Sequence, residues 1–96
     1  MLGVELFELW RVGRLRLPAL AGVYARAADE LSVVRHDDAD WALLRRQLVG
    51  VLAGAAGQVN EAGVAVCVAV EEYARADDGA AGEFRRLRGG SGVLPG

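Results

Sequence analysis

The stretch "RHDDADW", Arg35 to Trp41, decides the fold that this sequence predicts. Three of its residues are aspartates, which are poor in helix interiors and favoured in turns and at helix N-termini. Long helical patterns stand on both sides of it. We therefore predict a turn at residues 35–39, with Asp37 or Asp40 capping the helix that follows and the other acids favoured by its positive end.

The segment before the turn repeats apolar or small residues at alternating steps of four and three. They are Leu6, Trp10, Gly13, Leu17, Leu20, Tyr24, Ala27, Leu31 and Val34. Such a heptad pattern is typical of a helix that packs along another helix. Pro18 interrupts it, because proline lacks the backbone N–H and clashes with the preceding turn. We predict helix over about residues 4–34, with a break near residues 16–18.

The segment after the turn predicts a second helix over about residues 40–86. Its apolar stripe is Leu44, Leu48, Val51, Ala55, Val59, Ala62, Val66, Val70, Tyr73, Asp77, Ala80, Phe84 and Leu87, in which only Asp77 is not apolar. Every step is three or four, as on one helix face. The central part of this helix is rich in glycine, with Gly50, Gly54, Gly57 and Gly63. Each costs about 1 kcal/mol relative to alanine, so we expect another helix backbone to approach closely.

Folding the two helices back on each other gives an all-α domain, an antiparallel helical hairpin over residues 1–88. Residues 89–96 are rich in glycine and predict a flexible tail. In this arrangement Pro18 lies opposite the Gly57 region and Leu2 lies opposite Tyr73. The first helix then ends before Asp77, so the second helix is expected to extend beyond it and to tolerate an aspartate there.

Size and composition predict a partner chain. The protein has 96 residues, of which 53% are hydrophobic, and one hairpin of this size buries little surface. We expect a homo- or heterodimer that forms a four-helix bundle, with Val59, Val66 and Val70 at the interface. The net charge of −2 and the mixed distribution of charges give no basis for nucleic-acid binding. All basic residues are arginines, and the composition is typical of a GC-rich genome.

Two other structures were weighed for the second helix. Leu48 to Val70 has the length of a membrane span, but Gln58, Asn60 and Glu61 lie at its centre, where an acid is costly. We therefore expect no membrane insertion. "VAVCVAV", Val64 to Val70, has the residue types of a β-strand. Since no partner strand accompanies it, helix remains the prediction.

The sequence shows no arrangement of residues for catalysis, so we expect no enzyme and no cofactor. His36 is a lone histidine in the predicted turn, and Cys67 is a lone cysteine in an apolar run, which disfavours a metal site. The aspartates of residues 37–40 lack the spacing of a calcium loop. No metal is expected.

Tyr73 and Asp77 lie four residues apart near the end of the second helix, and this pair is part of a resemblance to a known family. Together with the length, the predicted hairpin and the alanine- and glycine-rich second helix, this pair resembles the small secreted proteins of bacterial type VII secretion, the Trp-X-Gly superfamily. The resemblance covers about Leu17 to Phe84. The motif Trp-X-Gly itself is missing, because Trp41 is followed by alanine and leucine. The chain is thus similar to relatives that keep the hairpin and the Tyr-x-x-x-Asp pair.

The resemblance implies a function. In that superfamily the Tyr-x-x-x-Asp pair belongs to the export signal, so Tyr73 and Asp77 are expected to be recognised by a secretion ATPase. It also implies a secretion substrate or its bundle-forming partner subunit, exported by a route that needs no signal peptide. The N-terminal "MLGVELFELW" has acids where the apolar part of a signal peptide would lie. The alternative is an intracellular helical adaptor or dimerisation module, in which this pair has no role.

Overall fold

The computed structural model describes residues 2–35 and 38–92, and over these residues the protein is all-α, as predicted. The elements in chain order are α1 (Leu2–Arg11), a π-helical segment (Val12–Arg16), α2 (Leu17–Ser32), α3 (Ala39–Ala76) and α4 (Asp78–Gly92). The stretch Val64 to Val70, which has strand-like composition, lies inside α3.

The irregularity in the first helical stretch lies before Pro18. The chain remains helical from α1 into α2, and Pro18 occupies the first turn of α2. The N–H of Leu17 bonds to the carbonyl oxygen of Val12, five residues earlier, in the wider π-helical geometry. The wider turn relieves the conflict between the proline ring and the carbonyl group of the preceding turn. The predicted break at residues 16–18 is therefore a π-helical segment at Val12–Arg16.

Asp38 caps α3. Its backbone is extended, with φ −75° and ψ 123°, and its Oδ1 accepts a hydrogen bond from the N–H of Asp40 at 2.8 Å. The prediction that Asp37 or Asp40 is the cap needs correction, because Asp40 lies within the first turn of α3. Asp37 lies outside the described residues. The turn is longer than predicted, since α2 ends at Ser32.

The second helical stretch is divided at Asp77, which is a correction to the predicted single helix over residues 40–86. α3 ends at Ala76 and α4 begins at Asp78. The backbone of residues 89–92, assigned to the flexible tail from the sequence, belongs to α4. The rest of the predicted tail, residues 93–96, lies outside the described residues.

The first helical stretch runs antiparallel to α3 and α4. A Cβ atom built on Gly13 would lie 2.8 Å from the carbonyl oxygen of Gly63, and one built on Gly3 would lie 2.6 Å from the Cβ of Glu83. Between these two points, Sγ of Cys67 lies 3.9 Å from the carbonyl oxygen of Trp10. Residue numbers therefore rise along one stretch as they fall along the other.

The largest buried side chains form one cluster, the aromatic core, where α1, α3 and α4 meet. Its buried members are Leu6, Phe7, Val70, Ala74, Ala80, Ala81 and Phe84, and Trp10, Val66 and Leu87 pack against them. The Trp10 ring stacks on Phe7 at 6.0 Å and meets Phe84 edge to face at 6.2 Å. Such aromatic pairs add to the stabilisation that area burial provides.

The α2–α3 pair, in contrast, is joined mainly by small residues. Its fully buried side chains are those of Ala21, Ala28 and Ala56. Within the described residues, α2 packs against α3 and the adjoining π-helical segment, and against no other helix. This half of the molecule is therefore two helices wide, with both of its sides open.

Candidate partner-binding surface and the Tyr73–Asp77 segment

Asp77 is a helix-capping residue. Its backbone is extended, with φ −122° and ψ 103°, and its N–H donates to the carbonyl oxygen of Ala74. Its Oδ1 accepts from the N–H of Ala80 at 2.9 Å, and its backbone oxygen accepts from the N–H of Ala81 at 2.8 Å. These bonds satisfy N–H groups that the first turn of a helix leaves without partners. The aspartate in the apolar stripe thus begins α4.

Tyr73 lies one turn before the end of α3 and points away from the aromatic core. Its side chain is 57% exposed, while its neighbour Ala74 is buried. A phenol ring at this position makes little contribution to packing within the chain. It is accessible to another protein.

The sequence predicted that Tyr73 and Asp77 lie on one continuous helix face. In the structure they are near each other but do not share such a face, because α3 ends between them. The predicted overhang is also corrected. Gly3 of α1 lies against Glu83 of α4, so the first helical stretch extends past Asp77 instead of ending before it. On the far side of the break at Asp77, α4 packs against α1.

The three predicted interface valines do not form one exposed surface. Val70 is only 1% exposed and belongs to the aromatic core, so its assignment to a partner interface is corrected. Val66 packs against the same core. Val59 is half-buried. The physical reason is that α1 and α4 cover α3 at Val66 and Val70.

The large exposed apolar residues of the α2–α3 pair lie elsewhere. We call five of them the apolar face: Leu20, Val23, Leu44, Leu48 and Val51. The members on α3 follow steps of four and three and so share one side of that helix. Leu44, Leu48 and Val51 belong to the apolar stripe predicted for the second helix, but their exposure within one chain was not predicted, and Val23 lies outside the stripe predicted for the first helix.

The two rows of the apolar face lie on the same side of the helix pair. Ala28 and Ala56 mark the buried sides of α2 and α3, and on each helix the exposed row lies about a third of a turn away in the same rotational sense. The helices are antiparallel: Leu17 contacts Gly63, and the Arg45 guanidinium donates to the carbonyl oxygen of Val34. When two antiparallel helices pack, rows that are displaced from the contact line by the same angle in the same sense lie on the same side of the helix pair.

The length and composition of α3 also meet the criteria for a membrane span, and α3 is the one helix among the described residues that does so. Only 11% of the residues in its most apolar window are buried in the structure. The apolar surface of α3 is therefore largely uncovered in the isolated chain.

The side chains that could bind a metal ion, and the single cysteine, bear on metal-binding and catalytic chemistry. No group of histidine, cysteine, aspartate and glutamate side chains in residues 2–35 and 38–92 is placed to hold a metal ion. Burial raises the pKa of the Cys67 thiol, with a further rise from the Glu71 carboxylate and an opposing effect from Arg14. A raised pKa favours the neutral thiol, which is a poor nucleophile.

Comparison of the chain with protein-family models, with curated proteins and with solved structures gives no match.

Proposed function

We propose that this protein is a partner-binding subunit, not an enzyme, whose antiparallel helical hairpin pairs with a second hairpin in a four-helix bundle. The apolar face is the observation that carries this proposal. It places five aliphatic side chains on one side of a helix pair that no other described element covers. A second copy of the chain or a related hairpin would bury them.

Energetics support an interface of this kind. Burying the exposed part of each aliphatic side chain contributes roughly 1 kcal/mol. The buried apolar side chains of the α2–α3 pair are alanines, which contribute little, while its larger side chains are at most half-buried. Association would therefore supply apolar burial that this half of the chain lacks.

The test is a matched pair of substitutions on α3, Val51→Asp and Val64→Asp. The two valines are similarly exposed, at 68% and 65%, but lie on opposite sides of the helix. Analytical ultracentrifugation at micromolar concentration should show an assembly for the unmodified protein and for Val64→Asp. Val51→Asp should shift it to monomer, because a buried unpaired charge is costly. The proposal would be contradicted if the unmodified protein remained a well-folded monomer by itself, after addition of candidate partner proteins, and after addition of lipid vesicles.

Type VII export is the more specific form of this function. It rests on the resemblance carried by Tyr73 and Asp77, and the exposure of Tyr73 supports it, since a receptor has access to the ring. In this proposal the end of α3 docks on a secretion ATPase, and the protein leaves the cell as cargo or as the escort of a partner.

Export is tested in cells that carry a type VII secretion system, by comparing protein in the cell pellet and in the culture supernatant. Tyr73→Ala removes the exposed ring, and Asp77→Asn removes the charge while keeping an oxygen to cap α4. Both should accumulate inside the cell, whereas the exposed neighbour variant Glu72→Ala should be exported normally. Normal export of the folded Tyr73→Ala/Asp77→Asn protein would show that this pair is not the export signal, and retention of the unmodified protein inside the cell would favour the intracellular adaptor.

A further inference from the structure

A concave groove of about 260 Å³ lies between the end of α3 and α4. Its surface has an apolar part and a charged part. The apolar part consists of Ala74, Ala81 and Phe84, and the charged part consists of Glu71, Arg75, Arg85 and Arg88. Three guanidinium groups and one carboxylate leave an excess of positive charge here, although the whole chain carries a net charge of −2.

The arginines of this groove are not equivalent. Arg88 pairs with Glu71 at 3.2 Å and lies over the Phe84 ring, 5.2 Å from its centroid. These contacts hold Arg88 and neutralise its charge. Among the described residues, neither Arg75 nor Arg85 has an ion-pair partner. Two guanidinium groups are therefore available beside a small apolar surface.

We infer that this groove binds an acidic segment of another polypeptide, in which an aspartate or glutamate side chain lies next to an apolar one. The carboxylate pairs with Arg75 and Arg85, whose planar forks match its geometry. The apolar side chain covers Ala74, Ala81 and Phe84. This site lies at the end of the molecule away from the apolar face and does not depend on the proposed bundle.

Size and charge distinguish this ligand from others. Small-molecule pockets have volumes of roughly 300–1,000 Å³, and a groove of about 260 Å³ accommodates one or two side chains. Because Arg88 and Glu71 neutralise each other, the charge that a ligand meets is that of Arg75 and Arg85, whose guanidinium groups match a carboxylate.

The test uses the full chain and a capped peptide of alternating leucine and glutamate residues, with a leucine–glutamine peptide as control. Titration calorimetry at low ionic strength should show at least tenfold weaker binding for the glutamine peptide. Arg75→Gln/Arg85→Gln should weaken binding of the acidic peptide at least tenfold. The matched variant Arg26→Gln/Arg46→Gln, which removes two exposed arginines outside the groove, should leave it unchanged. Circular dichroism checks that both variants are folded.

Four outcomes would overturn the inference. The two peptides bind equally well, or neither binds at millimolar concentration. The groove variant, folded by circular dichroism, retains the unmodified affinity. Inorganic phosphate displaces the acidic peptide at equal concentration, which would indicate an unselective anion site.

Discussion

The Oδ1 atom of Asp77 accepts a hydrogen bond from the backbone N–H of Ala80 at 2.9 Å. Through this bond, the residue at which α3 ends also begins α4. The acid that the family resemblance assigns to export therefore has a structural role as well. The two roles are separable, because the cap needs an oxygen acceptor whereas recognition by charge needs an ionised carboxylate.

Substitutions at Asp77 should separate these roles in stability. Asp77→Ala removes the cap and should lower the free energy of unfolding by about 1 kcal/mol, which lowers the melting temperature of a domain of this size by about 4–8 °C. Asp77→Asn keeps the acceptor and should cost less. Thermal unfolding followed by circular dichroism measures both. Equal melting temperatures for Asp77→Ala and the unmodified protein would show that the cap contributes nothing.

Substitution of two glycines of α3 by alanine should change the free energy of unfolding in opposite directions. A Cβ atom on Gly63 would lie 2.6 Å from the carbonyl oxygen of Gly13, whereas one on Gly54 would meet nothing within 4 Å. Gly63→Ala should destabilise the chain by about 1–3 kcal/mol, since the backbones must separate. Gly54→Ala should stabilise it by about 1 kcal/mol through helix propensity. Urea unfolding gives both values. Destabilisation by Gly54→Ala would indicate that a second chain packs closely there.

Phe84 should hold α4 in place. Its side chain is 2% exposed and meets Trp10 edge to face, so Phe84→Ala should cost about 3–5 kcal/mol. In a Trp41→Phe background, the fluorescence of Trp10 should shift to longer wavelength as water reaches the ring. Tyr73→Ala, which removes an exposed aromatic side chain, is the control and should leave the spectrum unchanged. An unchanged spectrum for Phe84→Ala would contradict the packing of α4 on α1.

The raised pKa of Cys67 predicts a pH dependence. Because burial, then Glu71, disfavours the thiolate, iodoacetamide should react more slowly with the folded chain than with the urea-unfolded chain at about pH 8.5. Stability should fall as pH rises above the ordinary thiol pKa, since the unfolded chain then loses its proton first. Glu71→Gln should speed the reaction modestly. Equal rates in folded and unfolded chains would contradict the shift.

The sequence predicted the all-α class because helix periodicity is local information. Leu6 and Phe84 both lie in stripes with steps of three and four, and both are buried. Pro18 correctly indicated an irregularity nearby. Its form, a π-helical segment at Val12–Arg16, depends on how the chain bonds around the missing N–H, which residue types alone do not specify.

The division at Asp77 was not predictable from the stripe. Aspartate is tolerated at an exposed helix position and is also a good cap, so the residue type permits both structures. In the structure, Phe84 and Ala81 of α4 pack in the aromatic core together with residues of α1 and α3, and such long-range contacts are not encoded in the residue type at position 77. The same long-range contacts bury Val70, which is why it does not lie on the predicted partner surface.

A close approach of another helix backbone was expected at the glycines of the second helix. It is found at Gly63 but not at Gly57, beside which the structure leaves open space.

The contact between Gly13 and Gly63 fixes the register between the first helical stretch and α3. Glycine permits the two backbones to touch, and a slide of about one helical turn would bring Val59 or Cys67 to the crossing in place of Gly63. Their side chains do not fit where a single added Cβ atom already lies 2.8 Å from a carbonyl oxygen. Repeated alanines and valines along both helices would otherwise tolerate several alignments. Steric exclusion at one crossing selects among them, and it is the selected alignment that brings Trp10 to Phe84.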